Sequence, residues 1–129
     1  MDLALYTIED GADQAPRVTQ SALPPLEVIA DLHVFYAPLL SIESKGVTLA
    51  RGRVEPGVEV PPHAAGSRYI ALVVSGTGLL TLMRATVDVP ETSLAYQPGT
   101  LIDFPPNARH GWINTGPEPL EWIGLDLGA

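Results

Sequence analysis

The chain has 129 residues, of which 46% are hydrophobic and 17% are charged, so we expect one folded domain over residues 1–129 rather than a disordered chain. Its net charge is −8 and its seven basic residues are scattered, which disfavours nucleic acid as a partner. The absence of cysteine excludes disulfides, thiolate catalysis and sulfur-ligated metals.

The distribution of proline and glycine predicts the class of fold. Thirteen prolines and twelve glycines interrupt the chain, and no segment carries helix formers at a 3.6-residue spacing, so we expect many short strands. No apolar run approaches the roughly 18 residues of a membrane helix. The N-terminal MDLALYTIED lacks the basic and apolar regions of a secretory signal. We therefore expect a soluble, cytoplasmic protein without a membrane partner.

The N-terminal part of the chain is predicted to contain two strands separated by a polar stretch. Residues 3–8 are predicted to form the first strand, and residues 9–25 a loop or extended arm, because proline removes hydrogen-bond donors from a sheet. Residues 26–36 are rich in β-branched and aromatic side chains and are predicted to form one strand. His33 lies within it, and we expect a hydrogen-bonded core or lining histidine without a functional role.

Residues 47–55 are predicted to form a strand whose two faces differ. Arg51 and Arg53 share one face with Val47 and Leu49. Two arginines on one face are compatible with an anion site. Arginine more often lies on a solvated face, and we favour that interpretation.

The second half of the chain alternates short apolar runs with turns. Residues 69–75 and 78–84 are predicted to form a hairpin across Ser-Gly-Thr-Gly, where glycine supplies a positive φ. Residues 85–93 are predicted to be a polar excursion interrupted by proline. Further strands are predicted at 58–60, 94–97, 101–104, 111–114 and 120–127. The total of about ten short strands with regular turns is typical of a sandwich or barrel.

Two segments in this half, Gly57–Gly76 and Gly99–Asn114, have similar parts. Each contains a Pro-Pro dipeptide, a histidine shortly after it and an apolar strand. The two histidines are His63 and His110. The repetition predicts one barrel with both histidines on its lining.

The second segment resembles the second motif of the cupin superfamily, G-x5-P-x-G-x2-H-x3-N. Gly99, Pro105, His110 and Asn114 stand at the required spacing, and Asn107 stands where the motif has glycine. Because asparagine is the next best residue for a left-handed turn, the substitution is mild and the turn is expected to persist. Asn114 is expected to cap or brace a turn through its amide.

The first segment resembles the first cupin motif, G-x5-H-x-H-x3,4-E-x6-G, less fully. Gly57, His63 and Gly76 match that motif. Ala65 stands in place of its second histidine, and Tyr69 in place of its glutamate.

The resemblance covers about residues 46–127 and implies an all-β fold, the double-stranded β-helix or jelly-roll barrel of the cupins. Residues 1–36 are expected to be N-terminal strands or an arm. Cupins commonly dimerise with N-terminal strands that cross to the partner, which implies a homodimer here. The apolar edges and faces of a small open barrel also favour one.

The resemblance also raises the question of a metal. Metal-bearing cupins hold an ion in the lumen with three histidines and a carboxylate, of which this chain keeps His63 and His110. Tyr69 would ligate only as a phenolate. The chain is therefore expected to hold either a weakly liganded divalent metal (zinc, iron, nickel or manganese) or none. A third protein ligand stays open, for instance Glu59 or Asp103.

Four residues are expected to line a site for a small organic ligand: His63, Tyr69, His110 and Trp112. Trp112 lies two residues after His110 and shares its face of the strand, with packing in the core as an equally weighted alternative. Tyr69 offers an apolar ring face and a polar tip.

Three functions remain open, and the protein is not assigned as an enzyme. The first is a cupin barrel that binds a small molecule, with or without a metal on His63 and His110. The second is a metal-free binding or sensor module without turnover. The third is a metal-free enzyme with a histidine as general base, which an unperturbed pKa of about 6.5 suits.

Overall fold

The computed structural model describes residues 1–11, 15–84 and 87–128. These residues form twelve β-strands and one single-turn 3₁₀ helix, Glu43–Lys45. The strands are β1 (Leu5–Asp10), β2 (Pro16–Ser21), β3 (Glu27–Ile29), β4 (Val34–Ile42), β5 (Val47–Val54), β6 (Glu59–His63), β7 (Tyr69–Ser75), β8 (Gly78–Arg84), β9 (Val87–Tyr96), β10 (Leu101–Phe104), β11 (His110–Asn114) and β12 (Leu120–Asp126). Over these ranges, no helix has the length and apolar character needed to cross a membrane.

Two antiparallel sheets share one hydrophobic core. The larger sheet has the order β10-β7-β12-β5-β4-β3, and the smaller has the order β6-β11-β8-β9. Strands β1 and β2 form a separate two-stranded sheet. Many sheet neighbours are distant in sequence, as in a double-stranded β-helix. The predicted all-β jelly-roll barrel is therefore confirmed.

The side chains of β5 alternate between the hydrophobic core and the opposite face of the sheet. Ala50, Gly52 and Val54 are buried, while the intervening Arg51 and Arg53 point to the opposite face. Both arginines therefore lie outside the core, but each is half-buried and the Nε atom of Arg51 is shielded from solvent, so the solvated face favoured for them is only partly observed.

The hairpin predicted from residues 69–75 and 78–84 is wrong, although both strands have the predicted bounds. Strand β7 pairs with β10 and β12, whereas β8 pairs with β11 and β9, so the chain changes sheets between them. Gly76 has a φ of +91°, and a Cβ there would lie 2.7 Å from the Cα of Leu120. Glycine here permits a close-packed corner between two sheets rather than a hairpin turn.

The prediction for residues 9–25 is wrong in part, because Pro16–Ser21 forms β2 and pairs with β1. Residues 12–14, which also fall in that prediction, lie outside the described residues. Proline is tolerated at the first position of a strand in a two-stranded sheet, where its missing N–H leaves no central ladder broken.

The single strand predicted over residues 26–36 is also wrong. Strands β3 and β4 are joined by a tight turn in which the Leu32 N–H donates to the Ile29 carbonyl at 3.0 Å. His33 ends this turn with a φ of 58°, and its side chain is exposed rather than in the core or the lining. The β-branched composition of this segment suits two short strands as well as one long strand.

The excursion predicted at residues 85–93 is a strand from Val87 onwards, and residues 85–86 lie outside the described residues. Strand β9 is at the edge of the smaller sheet, and its pairing with β8 shifts register where Pro90 faces Met83. An edge strand accommodates proline because one side of it needs no ladder bond.

The packing of β5 against β12 gives a prediction about Gly52. A Cβ at this position would overlap the indole ring of Trp122. We expect Gly52→Ala to lower the free energy of unfolding by about 1–3 kcal/mol, because the added methyl group displaces the buried indole ring from its packed position. Urea unfolding of the purified variant measures this change.

Gly66→Ala is the matched control, because a Cβ at Gly66 meets no atom within 4 Å. We expect its free energy of unfolding to change by less than about 0.5 kcal/mol. Equal values for the two variants would contradict the close contact between β5 and Trp122.

Candidate ligand-binding site

A cavity of about 270 Å³ lies between the two sheets and is lined by residues from both. Most of its wall is apolar or aromatic. Its polar groups come from Tyr36, His63, Ser67, Tyr69, His110 and Asp126. An apolar cavity with a few polar groups is the usual form of a small-molecule site.

The strand register brings the two predicted histidines together. His110 on β11 is the direct partner of His63 on β6. Directly opposed residues on antiparallel strands project from the same face of the sheet. The ring centroids lie 4.4 Å apart, with an interplanar angle of 56°.

The backbone fixes the same tautomer on both imidazoles. The Nδ1 atom of His63 lies 3.0 Å from the carbonyl oxygen of Pro61, and that of His110 lies 2.9 Å from the carbonyl oxygen of Ala108. Because a carbonyl oxygen only accepts, each neutral ring carries its proton on Nδ1. Each Nε2 lone pair remains available, since no described residue donates a hydrogen bond to it.

Burial keeps His110 uncharged. Burial lowers the pKa of His110 to about 4. The hydrogen bond to Ala108 raises this pKa, and the nearby His63 lowers it further. At neutral pH this imidazole is therefore an acceptor at Nε2 rather than a cation.

Two asparagines of the second motif hold the loops next to His110. Asn107 has a φ of 65°, and its N–H donates to the Ala65 carbonyl at 2.7 Å, so the expected left-handed turn is confirmed. The Asn114 amide donates to the carbonyls of Val54 at 3.0 Å and Glu118 at 2.9 Å, which confirms its bracing role.

An aromatic cluster forms one wall of the cavity. Trp112 is 3% exposed and stacks on Trp122, with centroids 5.6 Å apart and planes 10° apart. Phe104 lies 4.3 Å from the His110 ring. The two interpretations of Trp112 are therefore compatible, because its side chain belongs to the core and also lines the cavity.

Tyr69 belongs to a polar group that also lines the cavity. Its hydroxyl accepts a hydrogen bond from the indole N–H of Trp122 at 3.1 Å and lies beside the Tyr36 hydroxyl. Burial raises the pKa of Tyr69 above its ordinary value, and the adjacent Tyr36 raises it further. Tyr69 is thus a neutral phenol at physiological pH, which disfavours it as a phenolate ligand.

The donor set does not fit a metal site with three or four protein ligands. Within the described residues, no group of three or more histidine, aspartate or glutamate side chains is arranged to hold an ion. Glu59 and Asp103, left open as a third ligand, are both exposed, and Asp103 pairs with Arg68 at 2.7 Å. The suggestion that either completes a site with His63 and His110 is wrong.

Sequence reasoning missed several residues of the cavity, among them Tyr36, Phe104, Trp122 and Asp126. A signal for two of them was present in β12. Leu120, Trp122 and Gly124 are buried on one face of this strand, and the alternation of side chains places Asp126 on the same face.

Comparison with known proteins agrees with this architecture. The family model for the cupin domain, Cupin_2, matches residues 50–127, so the chain belongs to the cupin family. No curated protein matches the chain.

Solved structures share the fold at low sequence identity. The cupin domain of Cnp3 from Schizosaccharomyces pombe has a TM-score of 0.71 at 11% identity, covering 100% of this chain and 90% of its own. A predicted oxalate decarboxylase from Thermotoga maritima has a TM-score of 0.66 at 22% identity, covering 81% and 93%. An RmlC-like cupin from Shewanella frigidimarina has a TM-score of 0.61 at 18% identity, covering 81% and 83%. These similarities establish the fold and leave the reaction open.

The pKa of His110 predicts how stability depends on pH. The unfolded chain protonates this imidazole below about pH 6.5, whereas the folded chain resists protonation down to about pH 4. The unfolded state therefore binds more protons in this window, and the free energy of unfolding falls as the pH falls. We expect His110→Gln to remove this component, so that the stability difference from wild type shrinks by about 2–3 kcal/mol between pH 7.5 and 4.

Urea unfolding at several pH values measures the effect, with His33→Gln as the control. His33 is exposed at a turn, so its removal should leave the pH dependence unchanged. A His110→Gln variant with the pH dependence of wild type would contradict the burial of a neutral imidazole.

Proposed function

We propose that this cupin binds a small aromatic molecule in its cavity, in contact with His63, Tyr69, His110 and Trp112. The observation that carries the proposal is a cavity with aromatic walls and two adjacent imidazoles, each with an unused Nε2. Aromatic walls favour a planar apolar ligand, and the Nε2 atoms favour one that presents a hydroxyl donor.

The paired imidazoles support binding more directly than they support a reaction. A neutral histidine can act as a general base, but only when a substrate places its proton within about 3 Å of the nitrogen. A binding or sensor module without turnover is therefore the alternative within this proposal. Detection of a product after incubation with a bound ligand would favour the enzyme.

A divalent ion on His63 and His110 is the second candidate. It is supported by their Nδ1 hydrogen bonds to backbone carbonyls, which orient Nε2 as in many metal-ligating histidines. Two imidazoles give a weaker site than three or four protein ligands. Zinc, iron, nickel and manganese are each tested as the ion alone.

The tryptophans make ligand binding directly measurable. The chain has two tryptophans, Trp112 and Trp122, and both line the cavity. We expect phenol to change the intrinsic fluorescence in a saturable manner and to bind more tightly than toluene, which has no hydroxyl. His63→Ala should reduce this preference roughly three- to tenfold, because one hydrogen-bond acceptor is lost.

His33→Ala is the control, because His33 is exposed outside the cavity. The same titration with each metal ion alone tests the second candidate. Saturable binding at micromolar ion that is lost in His63→Ala would favour the metal. If neither phenol nor toluene changes the fluorescence, the proposed function is wrong.

We also propose that the protein is a homodimer, with the β1–β2 sheet contacting a second copy of the chain. Ile8 and Val18 are direct cross-strand partners and are 75% and 66% exposed. Tyr6 lies two residues before Ile8 on the same face and is 56% exposed. Contiguous apolar side chains on a projecting sheet mark an interaction surface.

Light scattering after size-exclusion chromatography tests this contact. We expect the wild-type chain to have the mass of a dimer at micromolar concentration and Ile8→Lys to shift it toward monomer. Thr7→Lys is the matched control, since Thr7 is exposed on the other face of β1. A wild-type monomer, or equal dissociation of both variants, would contradict the proposal.

A further inference from the structure

The charges that face the cavity have one sign. Of the residues that line it, Asp126 is the one carboxylate, and lysine and arginine are absent from the lining in the described part of the chain. The other ionisable groups are the two imidazoles and the phenols of Tyr36 and Tyr69.

Asp126 is held in place at the end of β12. It is the register partner of Tyr69 on β7. Its Oδ1 atom accepts hydrogen bonds from the Ser67 hydroxyl and from the N–H of Gly128, both at 2.8 Å. No described residue donates to Oδ2, so this atom has capacity for a donor from a ligand.

The two basic residues that are adjacent in sequence to Tyr69 and His110 are paired with carboxylates that do not line the cavity. Arg68, next to Tyr69, is engaged by Asp103 through two hydrogen bonds of 2.9 and 2.7 Å. Arg109, next to His110, donates to Asp88 at 2.7 Å. An anionic ligand would therefore enter an apolar cavity without a paired cation, which is costly.

The aromatic walls favour a cationic ligand, as the carboxylate of Asp126 does. Five aromatic side chains line the cavity: Tyr36, Tyr69, Phe104, Trp112 and Trp122. The faces of such rings carry negative electrostatic potential and attract ammonium groups. At the other polar group, the two Nε2 atoms accept hydrogen bonds rather than donate them.

We propose that the ligand is a small aromatic amine, whose ammonium group is bound by Asp126 and whose ring lies between the aromatic walls. This inference rests on the proposed function, since it assigns a chemical class to the ligand of the same cavity. It also excludes aromatic carboxylates as the preferred ligands.

Three probes that share a 4-hydroxyphenyl ring and differ in their terminal group test the proposal. They are tyramine, with an ammonium, tyrosol, with a hydroxyl, and 4-hydroxyphenylacetate, with a carboxylate. We expect wild type to bind tyramine about tenfold or more tightly than tyrosol, and 4-hydroxyphenylacetate most weakly, in tryptophan fluorescence titrations.

Asp126→Asn removes the charge and keeps a side-chain oxygen for Ser67 and Gly128. We expect it to weaken tyramine about tenfold and to leave tyrosol within about twofold of wild type. Glu59→Gln is the matched control, because it removes an exposed carboxylate on β6 outside the cavity lining. It should leave the order of the three probes unchanged.

The outcomes separate this inference from the proposed function. Equal binding of tyramine and 4-hydroxyphenylacetate, or an equal loss of tyramine affinity in both variants, overturns the assignment of an amine while the aromatic site stands. If phenol binds but none of the three probes does, the assignment of an amine is also overturned, whereas failure of phenol and toluene as well means that the aromatic site itself is wrong. A thermal unfolding curve of each variant confirms that the titrated protein is folded.

Discussion

The opposition of His63 and His110 across β6 and β11 is the contact on which the site depends. It follows from strand register, because directly paired residues must project on the same face of the sheet. A shift of one residue in this register would turn one imidazole to the outer face of the sheet and remove it from the cavity. The backbone carbonyls that bind both Nδ1 atoms then make two nitrogens of the same kind available.

Around this pair, the cavity combines low polarity with acceptor groups. The imidazole of His110 and the phenol of Tyr69 both stay uncharged at neutral pH because burial penalises their charged forms. Asp126 provides the carboxylate, at the strand end where the backbone N–H of Gly128 also reaches it. A ligand that presents donors thus meets partners already fixed by backbone hydrogen bonds, which lowers the entropy lost on binding.

The sequence predicted the elements better than their partners. Strands β7, β8 and β10 have the expected bounds, and the spacing of the second motif located His110, Asn107 and Asn114. The pairing of the strands was harder to predict from the sequence, because a Gly-x-Gly link suits a hairpin and a corner between two sheets equally well. Tyr36 was not predicted as a site residue because the face on which it projects depends on where the turn before β4 ends. Tertiary packing determines the end of that turn, and composition does not.

The walls of the cavity come from strands that are far apart in the sequence, and this links the amount of folded protein to its ligand. Such a barrel closes only after many non-local pairings form, so no partly folded chain offers the complete site. A compound that binds only the closed barrel adds about 2.7 kcal/mol to stability at a hundred times its dissociation constant. Protection from proteases, and hence the amount of protein present, would then rise with the supply of that compound.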